Sequence, residues 1–556
     1  PLMAKIAKTF CKKIYVTDDN PRKENPSKIR KEIIANLKDK IFLNIGNRSK
    51  AIKQAILNSE PNEIILIAGK GHENYQDYGN KIISVSDKEI VKKIKKKIDK
   101  KKHVYISNSK ILSKIIKDKK FYQFDGLAID SRDIKKENLF LAIKGKNNDG
   151  NLFISQAIKK GASYVVSSLR KKKYKKKIIK CSNPIIFLNK FAKFKRDNSN
   201  AKILAITGSV GKTSLKDMLN ILLQSYADTY SSPRSFNNHF GVPVSLSNLN
   251  SNHRFGIFEV GMSKSGEIDR LSKMIKPNLA IITNIAEAHI ENFKNVKNIA
   301  KAKSEIINNI QKNGTIILNR DDKFFSFLKK KALSKNIKVT TFGKSKFSDI
   351  KLVKIEKYKK VKKATIRVKG ITIKLKIRDN NIYNILASLA VLDELNLSIQ
   401  KTIKIFENFK PSKGRGRMHK ITRYKKKFNL IDESYNASPF SFKNALENFS
   451  EIKKNESKKY LFLGDMLELG DKSEFYHKEL SRLINNSDID KVFIKGEKTL
   501  FTFKNLKKEK RGNIFQCNQD IDLILKNIIA KNDYLMIKGS NATGLNIICK
   551  SMIKGI

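Results

Sequence analysis

Residues 203–224 read ILAITGSVGKTSLKDMLNILLQ, and this stretch indicates the fold of the central part of the chain. An apolar, β-prone run at residues 203–206 enters a glycine-containing turn, and apolar residues then recur at helical spacing from Leu215 to Leu222. Strand, glycine loop and helix in this order are typical of a phosphate-binding loop, because backbone N–H groups and the helix N-terminus attract phosphate oxygens. The longer form of this loop, G-x-x-x-x-G-K-[ST], would have glycine at position 206. Because Ile stands there, the loop has the shorter form G-x-x-G-K-T. We predict a nucleotide site.

Each residue type in this loop has a physical role. Glycines let the backbone close around phosphate, the Lys212 ammonium neutralises phosphate charge, and the Thr213 hydroxyl can ligate Mg²⁺. The residues expected to bind the nucleotide phosphates are Gly208, Ser209, Gly211, Lys212, Thr213 and Ser214. A phosphate loop alone does not identify a reaction.

The composition is that of a large, basic, globular chain. Its 556 residues leave room for roughly four domains. Lys and Arg number 116 against 52 Asp and Glu, which gives a net charge of +64. Such a charge raises nucleic acid or an anionic membrane as a partner. Because the lysines are spread along the whole chain with abundant Ile and Asn, we interpret them as solvated surface and expect no nucleic-acid partner.

The cysteines and the apolar runs indicate the cellular compartment of the protein. Four cysteines lie far apart without a C-x-x-C pair, which predicts neither a disulfide framework nor a zinc site and favours the cytoplasm. No apolar run reaches the length of a membrane span, and the N-terminus lacks the pattern of a signal peptide. Since the first residue is Pro1, we expect the sequence to be a fragment.

Apolar strands alternate with amphipathic helices, which predicts an α/β protein with mostly parallel sheets. Four units are expected, at residues 1–100, 104–195, 196–410 and 411–556. In the first unit we predict a strand at residues 14–16, a helix after Asn25, a buried strand in EIILIA (residues 63–68), and a helix end with a linker at residues 92–102. KIYVTDD and EIILIAGKG parallel KVFIKGE and YLMIKGS near the end of the chain, so the first unit is expected to be an incomplete copy of the last.

Three polar side chains follow later strands of the central unit. Glu259 ends GIFEV, His289 follows IITN, and Lys303 lies on the helical segment IAKAKSEII. Ligands bind at the carboxyl ends of parallel strands, so these side chains should lie near the phosphate loop. Thr213, Glu259 and His289 are the expected ligands of Mg²⁺.

The order of these motifs resembles the Mur ligase family, the ATP-dependent enzymes that form amide bonds in peptidoglycan precursor synthesis. The matching words are TGSVGKT, FEVGMSKSGEI, TNIAEAHIE, AKAKSEI and LNRDD. The resemblance implies a three-domain architecture of a uridine-binding α/β domain, a central P-loop ATPase-type parallel sheet and a Rossmann-like C-terminal domain. The incomplete α/β domain at the N-terminus would be additional.

Residues 104–556 are similar to the branch of the family that joins D-alanyl-D-alanine to UDP-N-acetylmuramoyl-tripeptide. The similarity lies in AIDSRDIKKENLFLAIKGKNNDG, SFNNHFGVPVSL, LIDESYNASPFSF and FLGDMLELG. It implies these two substrates, ATP and Mg²⁺ as cofactors, and other enzymes of peptidoglycan precursor synthesis as a class of protein partner.

Residues 1–100 resemble, through TDDNPRKENP and IAGKGHENYQ, the tail of the branch that adds meso-diaminopimelate. The resemblance implies an amino-acid site formed by Asp19, Asn20, Arg22, Gly69 and Glu73. Because the chain has no second phosphate loop, we expect no ligase activity from this tail. The chain is interpreted as a trimmed fusion of two consecutive pathway enzymes.

The resemblance also implies a mechanism. ATP phosphorylates a substrate carboxylate, the amine of the dipeptide attacks the acyl phosphate, and phosphate leaves. In relatives a lysine at the position of Lys303 is carbamylated and becomes an anionic metal ligand, which requires a neutral, partly desolvated amine. An ordinary helix-surface lysine is the alternative. The implied catalytic residues are Lys212, Asn237, Asn238, His289 and Lys303, with His239 beside them, and the implied metal set is Thr213, Glu259, His289 and Lys303.

Further binding residues are implied by position. Asn381, Asn384, Asp321 and Asp322 would contact adenine and ribose, and Arg415 or Arg417 with Asp432 would reach the nucleotide from the last domain. For Asn384 a helix cap is an equal alternative. The uridine diphosphate site would contain Ser131, Arg132, Gly145, Asn148 and Asp149. The dipeptide site would contain Asn436, Ala437, Asp465, Met466 and His477, although GDMLELG also suits a structural strand-to-helix connection.

Three positions depart from the family pattern. Asn151 stands where histidine is usual, residues 378–381 read RDNN in place of G-R-H-N, and Asn541 replaces an arginine after K-G-S. An amide cannot replace a bidentate cation, which weakens the expected contact with the dipeptide carboxylate. The alternatives are another Mur ligase or an amide ligase similar to folylpolyglutamate synthetase, and, on charge alone, a basic nucleic-acid-binding ATPase.

Overall fold

The computed structural model describes residues 2–37, 40–59, 63–70, 73–145, 148–169, 172–358, 361–377, 382–452 and 456–555. The chain divides into an N-terminal unit (Pro1–Ser113 and Asp118–Asp125) and a main unit (Lys114–Lys117 and Gly126–Ile556). Among helices in the described ranges, none combines the length and the apolar composition needed to cross a bilayer.

The described residues of the N-terminal unit form two small sheets, a parallel pair of strands and an antiparallel pair. Its elements are α1 (Leu2–Phe10), β1 (Lys13–Val16), α2 (Pro26–Ala35), β2 (Ile41–Asn44), α3 (Arg48–Leu57), β3 (Tyr75–Asp77), β4 (Ile82–Ser84) and α4 (Asp87–Ile116). The predicted strand at residues 14–16 is β1, and the predicted helix after Asn25 is α2. Asn25 caps α2 by accepting a hydrogen bond of 2.9 Å from the Ser27 N–H, and Pro26 suits the first turn.

Two predictions for this unit are wrong. Residues 63–68 form no strand, and the side chains of Ile64 and Leu66 are 97% and 80% exposed. A strand requires a neighbouring strand for its backbone groups, and the described part of this unit provides none beside these residues. Residues 92–102 are not a linker but lie inside the 30-residue helix α4, because no glycine or proline interrupts it.

The main unit begins with a four-stranded parallel sheet in the order β5-β6-β7-β8. Its elements are β5 (Leu127–Ala128), β6 (Leu139–Leu141), α5 (Ile154–Lys159), β7 (Tyr164–Ser167), β8 (Ile178–Lys180) and α6 (Pro184–Asp197). One short 3-10 helix, Ser131–Asp133, follows β5, and a second, Gly150–Phe153, directly precedes α5.

A nine-stranded sheet follows, in the order β10-β11-β9-β12-β13-β14-β15-β16-β17. Its strands are β9 (Lys202–Thr207), β10 (Thr229–Ser231), β11 (Phe255–Glu259), β12 (Leu279–Ile282), β13 (Thr315–Asn319), β14 (Lys338–Gly343), β15 (Ile350–Tyr358), β16 (Val361–Val368) and β17 (Ile371–Ile377). Its helices are α7 (Lys212–Gln224), α8 (Gly241–Ser247), α9 (Glu267–Ile275), α10 (Ile290–Phe293), α11 (Val296–Lys303), α12 (Phe325–Leu333), α13 (Ile382–Glu394) and α14 (Ile403–Asn408). In the order of the sheet, all neighbouring strands from β10 to β15 are parallel. The pairs β15 with β16 and β16 with β17 are antiparallel.

Strand β9 shows how this sheet builds two cores. Successive side chains of a strand point to opposite faces, so Leu204 and Ile206 enter the apolar cluster under α7 and α13, whereas Ile203 and Ala205 enter the cluster on the other face. Burial on both faces is why the strand reads as a continuous apolar run. Since β9 lies between β11 and β12, the carboxyl ends of all three parallel strands meet at one edge.

The last sheet has six strands in the order β18-β19-β23-β20-β21-β22. Its elements are β18 (Arg417–Arg423), β19 (Lys426–Glu433), α15 (Pro439–Ser450), β20 (Lys459–Gly464), α16 (Ser473–Asn485), β21 (Lys491–Lys495), α17 (Thr499–Lys504), β22 (Arg511–Ile514), α18 (Asn518–Asn527), β23 (Tyr534–Lys538) and α19 (Leu545–Lys554). All neighbours are parallel except β18 and β19. The predicted α/β class with mostly parallel sheets is confirmed.

Asn248, just after α8, ties the first sheet of the main unit to the central sheet. Its side-chain oxygen accepts from the Leu127 N–H and its amide donates to the Leu127 carbonyl, both at 2.9 Å. We expect Asn248→Ala to lower the free energy of unfolding by about 2 kcal/mol, because two backbone groups of β5 lose their partner. Urea denaturation measures the loss, and hydrogen exchange at the Leu127 amide locates it.

Asn198→Ala is the matched control for this prediction. The exposed Asn198 amide also donates to a carbonyl, that of Phe194 at 2.8 Å, but within the end of its own helix. We expect it to change stability by less than about 0.5 kcal/mol. Equal losses for the two variants would contradict a bridging role for Asn248.

Candidate active site

The phosphate loop connects β9 to α7. Gly208 has φ +144° and Gly211 has φ +89°, conformations that favour glycine. A Cβ at Gly208 would lie 1.9 Å from Thr283 Oγ1, so the loop passes too close to the end of β12 for any side chain. The first residues of the 13-residue helix α7 follow directly, and their N–H groups form an anion site.

Residues after β12 hold this loop in place. The Ser209 hydroxyl donates to the Ala286 carbonyl at 2.8 Å and accepts from the Ala286 N–H at 2.9 Å. The Asn284 side chain accepts from the Val210 N–H and donates to the Val210 carbonyl, each at 3.0 Å. The loop is therefore preorganised, because its polar groups are bonded to fixed partners.

The loop opens into a cavity of about 1830 Å³ that reaches from the central sheet to the C-terminal sheet. Predicted residues that line it are Ser209, Gly211, Lys212, Thr213, Ser214, Asn237, Asn238, His239, Glu259, His289, Lys303, Asp321, Asp322, Asn384, Arg415 and Asn436. The structure thus brings together most of the residues expected at the nucleotide phosphates, the metal and the reacting carboxylate.

Thr213, Glu259 and Asn237 form the polar centre of the cavity. The Thr213 hydroxyl donates to Glu259 Oε2 at 2.7 Å, and the Asn237 amide donates to Oε1 at 2.8 Å. Glu259 is 1% exposed. Among the described residues, no group of three His, Cys, Asp or Glu side chains could hold a metal alone. The hydroxyl and carboxylate oxygens suit Mg²⁺ that shares its remaining ligands with nucleotide phosphates.

Two lysines face this centre. Lys212 Nζ donates to the Gly208 carbonyl at 2.6 Å, and burial lowers its pKa, an effect that Glu259 partly offsets. Lys303, at the end of α11, is 2% exposed, and burial together with the Lys212 charge lowers its pKa well below the usual range. Lys303 is therefore desolvated, and its lowered pKa favours the neutral amine that a carbamate requires.

His289 precedes α10 with φ 55°, and its Nδ1 lies 2.6 Å from Glu468 Oε2. The two atoms are in close contact, but the ring N–H is not aligned with the oxygen. The contact with His289 lowers the pKa of Glu468. Asn238 has a more local role, because its side chain accepts from the Gly241 N–H at 2.9 Å and starts α8.

The predicted adenine and ribose residues Asp321, Asp322 and Asn384 all line the cavity. Asn384 is 4% exposed, its Nδ2 has no partner among the described residues, and its Oδ1 would be 3.1 Å from a Cβ at Gly211. Asp321 accepts from the Lys344 and Ser345 N–H groups at 2.6 and 3.0 Å. Asp322 accepts from the Ile285 and Phe324 N–H groups, and burial raises its pKa. The predicted Asn381 lies outside the described residues.

Asp432 does not line the cavity. It is 4% exposed and accepts from the Gly414 N–H at 2.7 Å and the Ser434 hydroxyl at 2.6 Å, so it anchors the hinge before β18. Arg417 starts β18, outside the cavity lining. Arg415 does line the cavity, with its guanidinium carbon 4.3 Å from the centre of the Tyr435 ring.

Among the residues of the cavity wall that sequence reasoning missed are Glu433, Tyr435 and Lys538. Glu433 and Lys538 end the neighbouring parallel strands β19 and β23, are register partners, and form an ion pair at 3.5 Å. Burial raises the pKa of Glu433 and lowers that of Lys538. The Tyr435 hydroxyl donates to Ser235 Oγ at 2.7 Å, and this bond connects the segment after β19 of the C-terminal sheet with the loop between β10 and α8. The signal was present, since both charges end apolar strands, LIDE and MIKG.

The residues expected at uridine diphosphate lie outside this cavity, in loops of the first sheet. Ser131 donates to Gln156 at 2.7 Å, Arg132 is exposed and pairs with Asp130, and Asp149 accepts from the Asn151 N–H at 2.9 Å. The Gly145 N–H donates to the Asn148 carbonyl at 2.8 Å. Asp133 pairs with Arg234 at 2.8 Å, beside the loop that carries Asn237.

Most residues expected at the dipeptide are occupied by internal contacts. Asp465 accepts from the Thr499 N–H at 2.8 Å. The Met466 N–H donates to His477 Nε2 at 3.2 Å, and His477 is fully buried. These three residues and Ala437 do not line the cavity, whereas Asn436 does. The placement favours the structural alternative for GDMLELG.

The N-terminal unit gathers four of its five predicted residues. The Asn20 amide donates to Glu73 at 2.7 Å, and a Cβ at Gly69 would lie 2.7 Å from Asp19 Oδ2. Lys70 is buried between them and lies 3.3 Å from Glu73 and 3.6 Å from Asp19. Arg22 is exposed, with φ 50°.

The fold and the site define a phosphate-loop enzyme built from several α/β units. Three family models match the chain: Mur ligase middle domain at residues 206–392, Mur ligase, glutamate ligase domain at residues 1–71 and 416–541, and Mur ligase family, catalytic domain at residues 123–202. The chain belongs to the Mur ligase family and, as a member, is an ATP-dependent ligase.

Individual relatives agree with this assignment. The chain is 34% identical to the UDP-N-acetylmuramoyl-tripeptide–D-alanyl-D-alanine ligase of Rickettsia prowazekii, over 75% of this chain and 93% of that protein. The Bacillus subtilis ligase of the same name is 30% identical over 77% and 93%. Among solved structures, the MurF ligase of Thermotoga maritima in complex with ADP is 26% identical with a TM-score of 0.64, over 77% of this chain and 97% of that one.

We expect Gly208→Ala to weaken ADP binding at least about 100-fold, roughly 2.7 kcal/mol, because the added Cβ collides with Thr283 and displaces the loop. Isothermal titration calorimetry measures the affinity. Gly370→Ala is the matched control, since Gly370 also has positive φ (+86°) but open space around it, in the turn between β16 and β17. ADP binding by Gly208→Ala at the wild-type affinity would show that this close approach is not needed.

Proposed function

We propose that this chain is an ATP-dependent ligase that joins D-alanyl-D-alanine to UDP-N-acetylmuramoyl-tripeptide. One observation carries the proposal: a single cavity joins the phosphate loop of the central sheet to charged residues of the C-terminal sheet, in a chain similar to ligases of this name over nearly their whole length. A ligase needs such a shared cavity because nucleotide, carboxylate and amine must meet.

The residues support an acyl-phosphate route. A carboxylate oxygen of the tripeptide attacks the γ-phosphorus of ATP and ADP leaves, which produces a mixed anhydride. The deprotonated amine of D-alanyl-D-alanine then attacks the acyl carbon, and the tetrahedral intermediate expels phosphate. Lys212 and the N–H groups at the start of α7 stabilise the charge on the transferring phosphoryl group. Asn237 and Asn238 border the position where the carboxylate approaches.

The residues that would hold Mg²⁺ are Thr213, Glu259, His289 and a carbamate on Lys303. The ion would neutralise the negative charge that the phosphates bring into a buried site. Support comes from the Thr213 to Glu259 contact and from the burial of Lys303, which lowers the pKa of its amine. A carbamate at Lys303 would also balance the charge of the neighbouring Lys212.

The remaining assignments follow from the same proposal. Ser131, Arg132, Gly145, Asn148 and Asp149 would bind the uridine diphosphate moiety, and Asn436 would contact the dipeptide. The N-terminal unit would add no second ligase activity. We also propose that the reaction takes place in the cytoplasm, where other enzymes of precursor synthesis would be its partners.

The decisive measurement is phosphate release from ATP. We expect release that requires both UDP-N-acetylmuramoyl-tripeptide and D-alanyl-D-alanine, and a fall of at least about 1000-fold in kcat for Lys212→Ala, because the transferring charge loses its cation. Lys301→Ala is the control, since Lys301 is exposed on α11 and should leave the rate unchanged. Release without the dipeptide, or none with both substrates, would refute the proposal.

Lys303 gives a second test. We expect Lys303→Ala to lose at least about 100-fold in kcat and to recover part of it with added acetate or propionate, because a short carboxylate can occupy the place of the carbamate. In the wild type, a ¹³C carbamate signal should appear in ¹³C-bicarbonate, since burial lowers the pKa of the Lys303 amine and so favours the neutral form that reacts.

The matched control for Lys303 is again Lys301→Ala, two positions earlier on the same helix but exposed. It should retain both full activity and the ¹³C signal. Full activity of Lys303→Ala without added acid would rule out the carbamate while leaving the ligase proposal intact.

A further inference from the structure

The loop between β20 and α16 meets the central sheet next to the candidate metal site. His289 Nδ1 lies 2.6 Å from Glu468 Oε2, and the Glu291 N–H donates to the Glu468 carbonyl at 3.2 Å. Ile290 belongs to the same buried apolar cluster as Met466 and Leu469. Side-chain, backbone and apolar contacts therefore join the two segments at one place.

Both residues of the central contact have a backbone conformation that side chains rarely adopt. His289 has φ 55° and Glu468 has φ 63°, and neither is glycine. Such conformations persist only where the surrounding structure enforces them, and they cluster at functional sites. Gly470 follows with φ 54°, and a Cβ there would lie 3.2 Å from a side-chain atom of Glu291, so the loop lies tightly against α10.

The contact decides which histidine nitrogen remains for a ligand. With Nδ1 against the carboxylate, Nε2 is the nitrogen left to face the cavity that His289 lines together with Thr213 and Glu259. A carboxylate behind a histidine fixes the orientation of the ring and increases its basicity as a ligand.

We propose that Glu468 is a positioning residue that holds the His289 imidazole, so that the C-terminal part of the main unit helps to form the divalent-cation site of the central sheet. This rests on the cation site of the proposed function. Glu468 itself does not line the cavity, and it acts through His289.

The test is Mn²⁺ binding to the full chain in the presence of ADP, followed by the electron paramagnetic resonance signal of free Mn²⁺. We expect Glu468→Gln to weaken Mn²⁺ binding about tenfold, the lower range for residues that orient a metal-ligating histidine. His289→Ala should weaken it at least as much. The double variant should bind no worse than His289→Ala alone, because Glu468 acts only through the ring.

Two further variants separate positioning from a general structural effect. Glu468→Gly accepts φ 63° without strain, so it should fold and yet lose the same tenfold affinity. Glu474→Gln is the control, because Glu474 is exposed on α16 and pairs only with Lys478 at 2.6 Å among the described residues. It should bind Mn²⁺ as the wild type does.

The outcomes are distinguishable. Wild-type affinity in both Glu468 variants, or a loss that adds fully to that of His289→Ala, would overturn the positioning role while the wild-type cation site stands. Failure of the wild-type chain to bind Mn²⁺ with ADP would overturn both this role and the cation site of the proposed function.

Discussion

The close approach of Gly208 to Thr283 is the constraint on which the site depends. Because a Cβ at this position would lie 1.9 Å from Thr283 Oγ1, only glycine fits here in the loop that connects β9 to α7. That loop places the N–H groups at the start of α7, the Lys212 ammonium and the Thr213 hydroxyl at one edge of the sheet. Neighbouring strands β11 and β12 then bring Glu259 and the segment leading to His289 to the same edge.

Charge balance is the second organising feature of the cavity. Burial and the Lys212 charge lower the pKa of Lys303, and Glu259 is the carboxylate that partly offsets the effect of burial on Lys212. Farther along the wall, Glu433 and Lys538 neutralise each other at 3.5 Å. Burying a cation is costly unless its charge is balanced, so Lys212, whose burial Glu259 offsets only in part, favours an anionic ligand such as a nucleoside triphosphate.

Local patterns were sufficient for much of the fold. The phosphate loop, the strands that carry Glu259 and the helix that carries Lys303 could be predicted because apolar runs, glycines and helical spacing act over a few residues. Predictions failed where pairing decided the outcome. Residues 63–68 have the composition of a strand but no neighbouring strand in the described part of their unit, and Asp432 turned to the hinge while the next residue, Glu433, faced the cavity.

The sequence by itself determined that a nucleotide-binding α/β ligase of this family is encoded here, because glycine positions, buried strand composition and motif order are local properties. Only the tertiary structure decided which distant residues meet. The pairing of Glu433 with Lys538 depends on sheet order, and the contact of Glu468 with His289 depends on how a loop of one sheet lies against a helix of another. Neither contact can be inferred from the spacing of nearby residues, because both arise from packing between segments that are far apart in the chain.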